Sequence, residues 1–184
     1  MQEPYPIDRN IHRPRHIYAD DAIYGITAAV YNKERIINTP PKRIKLIKAT
    51  REILTQFHYH LYAWVILPNH YHLLIKSNIG LDLPVILNKI HAQYALWLNK
   101  EDKTKGRKIF YQYWDQFFEG EHGFFRFMNY IHFNPVKHQY VKVMEEWDSS
   151  SVRFYIKRHG QEAVYRDFEQ YPLGEWSFAY DNEL

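Results

Sequence analysis

The pattern of apolar residues predicts an α+β fold, one antiparallel β-sheet with helices packed on one face and a helical C-terminal extension. Three observations point there. Four short segments rich in β-branched and aromatic residues alternate with stretches whose apolar residues recur at helical spacing. Their order reads β-α-β-β-α-β and then helix, which suits a sheet with helices laid across it. A chain of 184 residues, 46% hydrophobic and with only 7 glycines and 9 prolines, is enough for one domain with a sizeable core.

Residues 1–20 are polar and interrupted by proline, carry Arg9, Arg13 and Arg15, and are expected to form a flexible basic arm. Ala22–Tyr31 reads as the first strand. After the turn-like Asn38-Thr39-Pro40-Pro41, Ile44, Ile47 and Leu54 with basic residues between them give an amphipathic helix over Lys42–Phe57. Tyr59–Leu67 is a second strand, and Pro68-Asn69 breaks it before Tyr71–Ser77 resumes as a third, so the two form a hairpin. Leu83–Asn99, with Ile86, Ile90, Tyr94 and Trp97 at helical spacing, is the second helix. A charged loop, Glu101–Lys108, leads to an aromatic strand at Ile109–Phe118. A third helix spans Phe124–Phe133 and is expected to stop at Asn134-Pro135, because proline lacks the amide hydrogen that a helix interior uses. A last helix starts near Ser149 as its cap and runs to Arg158, before Gly160.

The chain contains no cysteine, which excludes disulfides, thiolate metal sites and cysteine nucleophiles. Its first residues lack the regions of a signal peptide and no apolar run is long enough to span a membrane, so a cytoplasmic protein without a membrane partner is expected. The net charge of +3 hides an uneven distribution. Residues 1–144 carry 20 basic against 12 acidic side chains, whereas 145–184 carry 4 against 9. A basic body suits a polyanionic partner, since lysine and arginine neutralise phosphates and release counterions; a solvated surface with chance asymmetry has the same composition.

Two segments can carry chemistry. His70 and His72 stand two apart at the start of a strand, so both leave by one face of the sheet and Tyr71 by the other. Two converging imidazoles form half of a divalent-metal site, although a His-x-His pair alone is more often two ordinary histidines. Tyr130 and Asn134, four apart, share a face of the third helix. On a helical wheel Phe124, Met128 and Ile131 form the apolar stripe and Tyr130 points nearly opposite, which is not the expected place for a packing tyrosine. A phenol is a weak nucleophile until a metal polarises its target or a base takes its proton, so Tyr130 needs the histidines nearby. The amide oxygen of Asn134 can complete a His, His, Asn set that keeps positions open for substrate oxygens.

Taken together, Tyr62-Ala63-Trp64-Val65-Ile66-Leu67-Pro68-Asn69-His70-Tyr71-His72 and Tyr130-Ile131-His132-Phe133-Asn134-Pro135-Val136-Lys137-His138 resemble the REP-associated tyrosine transposases. These belong to the single-tyrosine HUH group of the IS200-like transposase superfamily. The resemblance runs from the strand near Ile23 to Trp147-Asp148-Ser149-Ser150. It implies a ferredoxin-like or RRM-like sheet with His70 and His72 on a central strand, and Tyr130 on a helix beside it as nucleophile. It also implies Asn134 as third ligand of Mg²⁺ or Mn²⁺. Residues 21–145 would then be the catalytic domain and 146–184 an extension packed on it. The implied activity is cleavage of single-stranded or hairpin DNA through a 5′-phosphotyrosine, followed by strand transfer. One departure is Phe117-Phe118-Glu119-Gly120-Glu121-His122, where the group favours a basic residue shortly before the tyrosine helix.

Candidate DNA contacts are Arg9, Arg13 and Arg15 in the arm, Lys42 and Arg43 on the first helix, and Lys105, Arg107 and Lys108 in the charged loop. Trp97, Tyr111, Tyr113 and Trp114 can stack on unpaired bases. Alternatives are a DNA-binding protein of the same fold without cleavage, and a nuclease of the rolling-circle initiator or relaxase type; monomer and homodimer are both open.

Overall fold

The computed structural model describes residues 16–174; Arg9, Arg13 and Arg15 lie outside the described residues. Four strands, β1 (Ile23–Val30), β2 (His60–Ile66), β3 (His70–Lys76) and β4 (Phe110–Phe118), form one sheet in the order β2-β3-β1-β4. Every neighbouring pair is antiparallel, as predicted. Helices α1 (Pro40–Gln56) and α2 (Leu83–Glu101) cover one face. There Tyr24, Ile26, Tyr71 and Leu73 of the sheet meet Leu46, Ile53, Ile86 and Ile90 of the helices. A third helix, α3 (Gly120–Lys137), covers the opposite face, where Val65 and Leu74 pack with Phe127, Tyr130 and Ile131, so helices pack on both faces of the sheet and not on one as expected. Helices α4 (Val152–His159) and α5 (Gln161–Gln170) back α3, joined to it by a small cluster of Val152, Val164 and Val136. Among the described residues no helix is long and apolar enough to cross a membrane.

Three local expectations change. The third helix does not stop at Asn134-Pro135 but continues through Pro135 to Lys137. Pro135 sits near the C-terminal end, where it forfeits a single helical hydrogen bond, and the chain resumes with His138 N–H donating to Asn134 O at 3.0 Å. Ser149 does not cap the final helix. Its hydroxyl accepts from Arg43 Nε at 2.8 Å, and Ser151 occupies the N-cap position of α4. The segment 149–151 instead runs along the open edge of β2, with Ile66 N–H donating to Ser149 O and Ser151 N–H to Trp64 O, both at 2.9 Å. Helix α5 was not anticipated as a separate element; Gly160, at φ 86°, breaks the path between α4 and α5.

Gly25 sets how closely α3 approaches. A Cβ there would lie 2.5 Å from Phe127 Cε1 and 2.7 Å from Phe118 Cε2, so only a bare backbone admits the Phe127 ring against β1. At the start of the described chain, the Tyr24 hydroxyl donates to Ile17 O and accepts from Ala19 N–H, both at 2.7 Å, which holds residues 17–19 against the sheet.

Candidate active site

Strand alternation puts Tyr71 among the α1 and α2 side chains, its hydroxyl 2.7 Å from His91 Nε2, and turns His70 and His72 toward α3. Both histidines are buried, at 1% and 0% exposure. Their rings are oriented from behind. Thr27, directly across from His72 on β1, hydrogen-bonds His72 Nδ1 at 2.8 Å. Asn69 Oδ1 lies 2.8 Å from His70 Nδ1; a carbonyl oxygen only accepts, so Nδ1 is the donor and Nε2 is the nitrogen turned to the site. His70 Nε2 faces Asn134 Oδ1 at 3.3 Å.

Helix α3 carries Phe127, Tyr130, Asn134 and Lys137 at spacings of three and four, one stripe that faces the centre of the sheet. The Tyr130 ring stands edge-on to His72 with centroids 5.2 Å apart, stacks on Phe127 at 5.8 Å, and lies 5.2 Å beneath Lys137 Nζ. The continuation of α3 through Pro135 keeps Asn134 on this stripe. Tyr130 is only 2% exposed, which corrects the wheel reading that turned it away from the core. The wheel assumed one covered face. In fact α3 is covered on several sides: Phe127 and Tyr130 meet the sheet, His132 Nε2 meets Ser151 Oγ at 2.9 Å, and Asn129 Nδ2 donates to Asp167 O of α5 at 2.9 Å.

The structure thus brings His70, His72, Asn134 and Tyr130 into one cluster. Among the described residues no three His, Asp or Glu side chains gather at metal-ligand spacing; the oxygen that faces His70 Nε2 is that of the Asn134 amide. The donors suit a divalent ion: two imidazole nitrogens and one amide oxygen on a rigid sheet and helix, with Asn134 Nδ2 making no hydrogen bond of its own.

The basic residues separate. Arg43 is 6% exposed; its guanidinium bonds Ser149 Oγ and Asn38 O and lies 4.6 Å from the Trp147 ring, so it ties α1 to the segment after α3 and is not offered to a phosphate. Lys42 pairs with Asp102 at 2.9 Å, and Arg107 donates to the same carboxylate at 2.6 Å, anchoring the loop after α2. Lys105 and Lys108 are exposed, with Lys108 Nζ 5.1 Å and 4.6 Å from the Tyr31 and Tyr111 rings. This loop meets the end of β1, where Tyr31 N–H donates to Ile109 O, so Lys108 stands at the same end of the sheet as His70. Sequence reading missed Thr27, Asn69, Lys137 and His138, whose ring is 4.9 Å from His70. Adjacency to His70 and the seven-residue step from Tyr130 were the signals for Asn69 and Lys137.

A family model described as Transposase IS200 like matches residues 19–132, a span that holds both histidines and Tyr130. A Haemophilus influenzae protein described as a REP-associated tyrosine transposase is 27% identical over 119 residues, covering 59% of this chain and 68% of that protein. A solved structure of a REP-associated tyrosine transposase bound to a REP hairpin superposes with a TM-score of 0.67 at 21% identity, covering 90% of this chain and 91% of that one. At that identity the likeness extends to the fold.

Proposed function

Because the chain belongs to the IS200-like transposases, we propose that it is a metal-dependent single-stranded DNA endonuclease and strand transferase that uses Tyr130 on hairpin-forming repeat DNA. The observation that carries this reading is the approach of Tyr130 to His72, at 5.2 Å between centroids, beside the facing His70 Nε2 and Asn134 Oδ1. The similar proteins, a REP-associated tyrosine transposase and one bound to a REP hairpin, support the choice of hairpin DNA.

His70, His72 and Asn134 would hold Mg²⁺ or Mn²⁺, which would supply positive charge to stabilise the scissile phosphate. The rest falls to the chain. Thr27 and Asn69 fix the two imidazoles, so that the site does not reorganise as charge develops. Tyr130 Oη attacks phosphorus; the new O–P bond forms as the P–O3′ bond breaks, the phenol proton departs, and the 3′ oxygen takes one up. The products are a 5′-phosphotyrosine and a 3′-hydroxyl, and the reverse step rejoins a strand without ATP. Lys137 Nζ lies 5.2 Å from the centre of the Tyr130 ring, where an ammonium places positive charge near the reacting oxygens.

The burial of Tyr130 favours one second reading, a DNA-binding protein of this fold that does not cleave. Incubation with labelled hairpin DNA bearing a single-stranded flank, in Mn²⁺, separates the two. A denaturation-resistant protein–DNA adduct that Tyr130→Phe abolishes is the expected result. DNA bound with no adduct would leave the non-cleaving binder standing.

A further inference from the structure

On the other side of α3 from Tyr130 lies a cleft of about 740 Å³, between the start of β2, α1, α3 and α4. Its walls are aromatic. Tyr62 meets Phe124 edge-on at 4.9 Å, and the Arg51 guanidinium sits 5.6 Å from the centroids of both Trp64 and Phe154. Phe154 is 59% exposed, an unusual position for a large ring. Arg158 also lines the cleft, and among the described residues no carboxylate does. The charge here runs against its surroundings: residues 145–184 are net acidic, yet α4 carries Arg153, Lys157 and Arg158 and no acidic residue.

We propose that this cleft is a subsite for one unpaired nucleotide of the DNA strand, its base stacked against Phe154 and the Tyr62–Phe124 wall and its phosphate held by Arg51 and Arg158. Flat aromatic walls take the face of any base, but only one that is not already stacked and paired. Arginines at the rim select a polyanion over an uncharged apolar ligand. Phe124 and Met128 turn to the cleft while Phe127 and Tyr130 turn to the sheet, so a single helix presents both sites. The subsite rests on the reading of the protein as a DNA strand-transfer enzyme and adds where the single-stranded flank of its substrate is held.

The test is fluorescence anisotropy with the full chain, comparing a hairpin that carries a single-stranded extension with the same hairpin made blunt. Wild type is expected to bind the extended form about tenfold more tightly. Phe154→Ala and Arg158→Gln, both at exposed positions, should each bring the ratio of the two affinities toward one, with thermal melts confirming the fold. A 5-iodouracil in the extension should crosslink to a peptide containing Tyr62, Phe124 or Phe154. An unchanged ratio, or equal losses on both DNAs, would overturn the subsite. So would a concentration-dependent dimer that Phe154→Ala dissolves, which assigns the cleft to a second copy of the chain. If Tyr130-dependent adducts form while the ratio ignores the cleft variants, the subsite alone is lost. Absence of both DNA binding and adduct sinks the functional reading as well.

Discussion

Thr27 and Asn69 decide how well the two histidines are aimed, and neither is itself a candidate ligand. Thr27 Oγ1 holds His72 Nδ1 at 2.8 Å on a sheet position that is 1% exposed, so Thr27→Val keeps the shape of the side chain and removes only that hydrogen bond. Groups that orient metal-binding imidazoles are typically worth about 10–100-fold in metal affinity. Calorimetric titration with Mn²⁺ is expected to show a loss in that range for Thr27→Val; wild-type affinity in the variant would mean that the Thr27 hydrogen bond does not orient a metal ligand. The contrast with the histidines shows what a sequence makes visible. His70 and His72 could be placed on one face by alternation, and Tyr130 and Asn134 by the pitch of a helix, because each relation is local. Thr27 stands 45 residues from His72 and becomes its partner only through the β1–β3 register. Arg43 shows the same limit: nothing local announces that Ser149, 106 residues away, will claim its guanidinium.

At the scale of elements, the position of Tyr130 depends on how closely α3 lies on the sheet. Gly25 and Phe127 set that distance. A methyl group at Gly25 collides with a rigid ring, so Gly25→Ala should lift the helix, lowering stability by about 1–3 kcal/mol, the usual range for overpacking. Urea denaturation measures the loss. Phe127→Leu in the same chain should restore part of it by shortening the clashing side chain, and a double variant no more stable than Gly25→Ala alone would break this account. The first two helices were legible within a few residues because each has one buried side and one wet one, and the strands because they are short runs rich in β-branched and aromatic residues, β1 and β3 being buried on both faces. Helix α3 was harder to read. Sheet, α4 and α5 surround it, so a wheel that assigns a single apolar face sends Tyr130 outward. Its end was misjudged too, since the rule that proline ends a helix describes the interior, and Pro135 is near the last turn.

Two histidines, the buried His132 and the half-buried His91, one on each side of the sheet, couple the whole molecule to pH. Burial pushes His132 down to about 3 and His91 down to about 4 from the usual value of 6.5. Their neighbours accept the neutral form. Ser151 Oγ takes the Trp64 N–H at 3.0 Å and lies 2.9 Å from His132 Nε2, and the Tyr71 hydroxyl, which burial keeps protonated, lies 2.7 Å from His91 Nε2; a hydroxyl can partner a neutral imidazole in either tautomer. The unfolded chain protonates both rings below about pH 6.5, while the folded chain resists until its lower values are reached. The stabilisation is therefore complete above pH 6.5 and declines as pH falls toward 4 and then 3, by up to ~1.4 kcal/mol per pH unit for each ring. Moving the metal-free protein from pH 7 to pH 5 should remove on the order of 3 kcal/mol and lower the urea midpoint accordingly. His91→Gln cannot titrate, so it should lose less between the two pH values than wild type does, even if it starts less stable. A urea midpoint that does not move between pH 7 and pH 5 would mean that both rings reach water, and that the two faces of the sheet open together well below the cost of global unfolding.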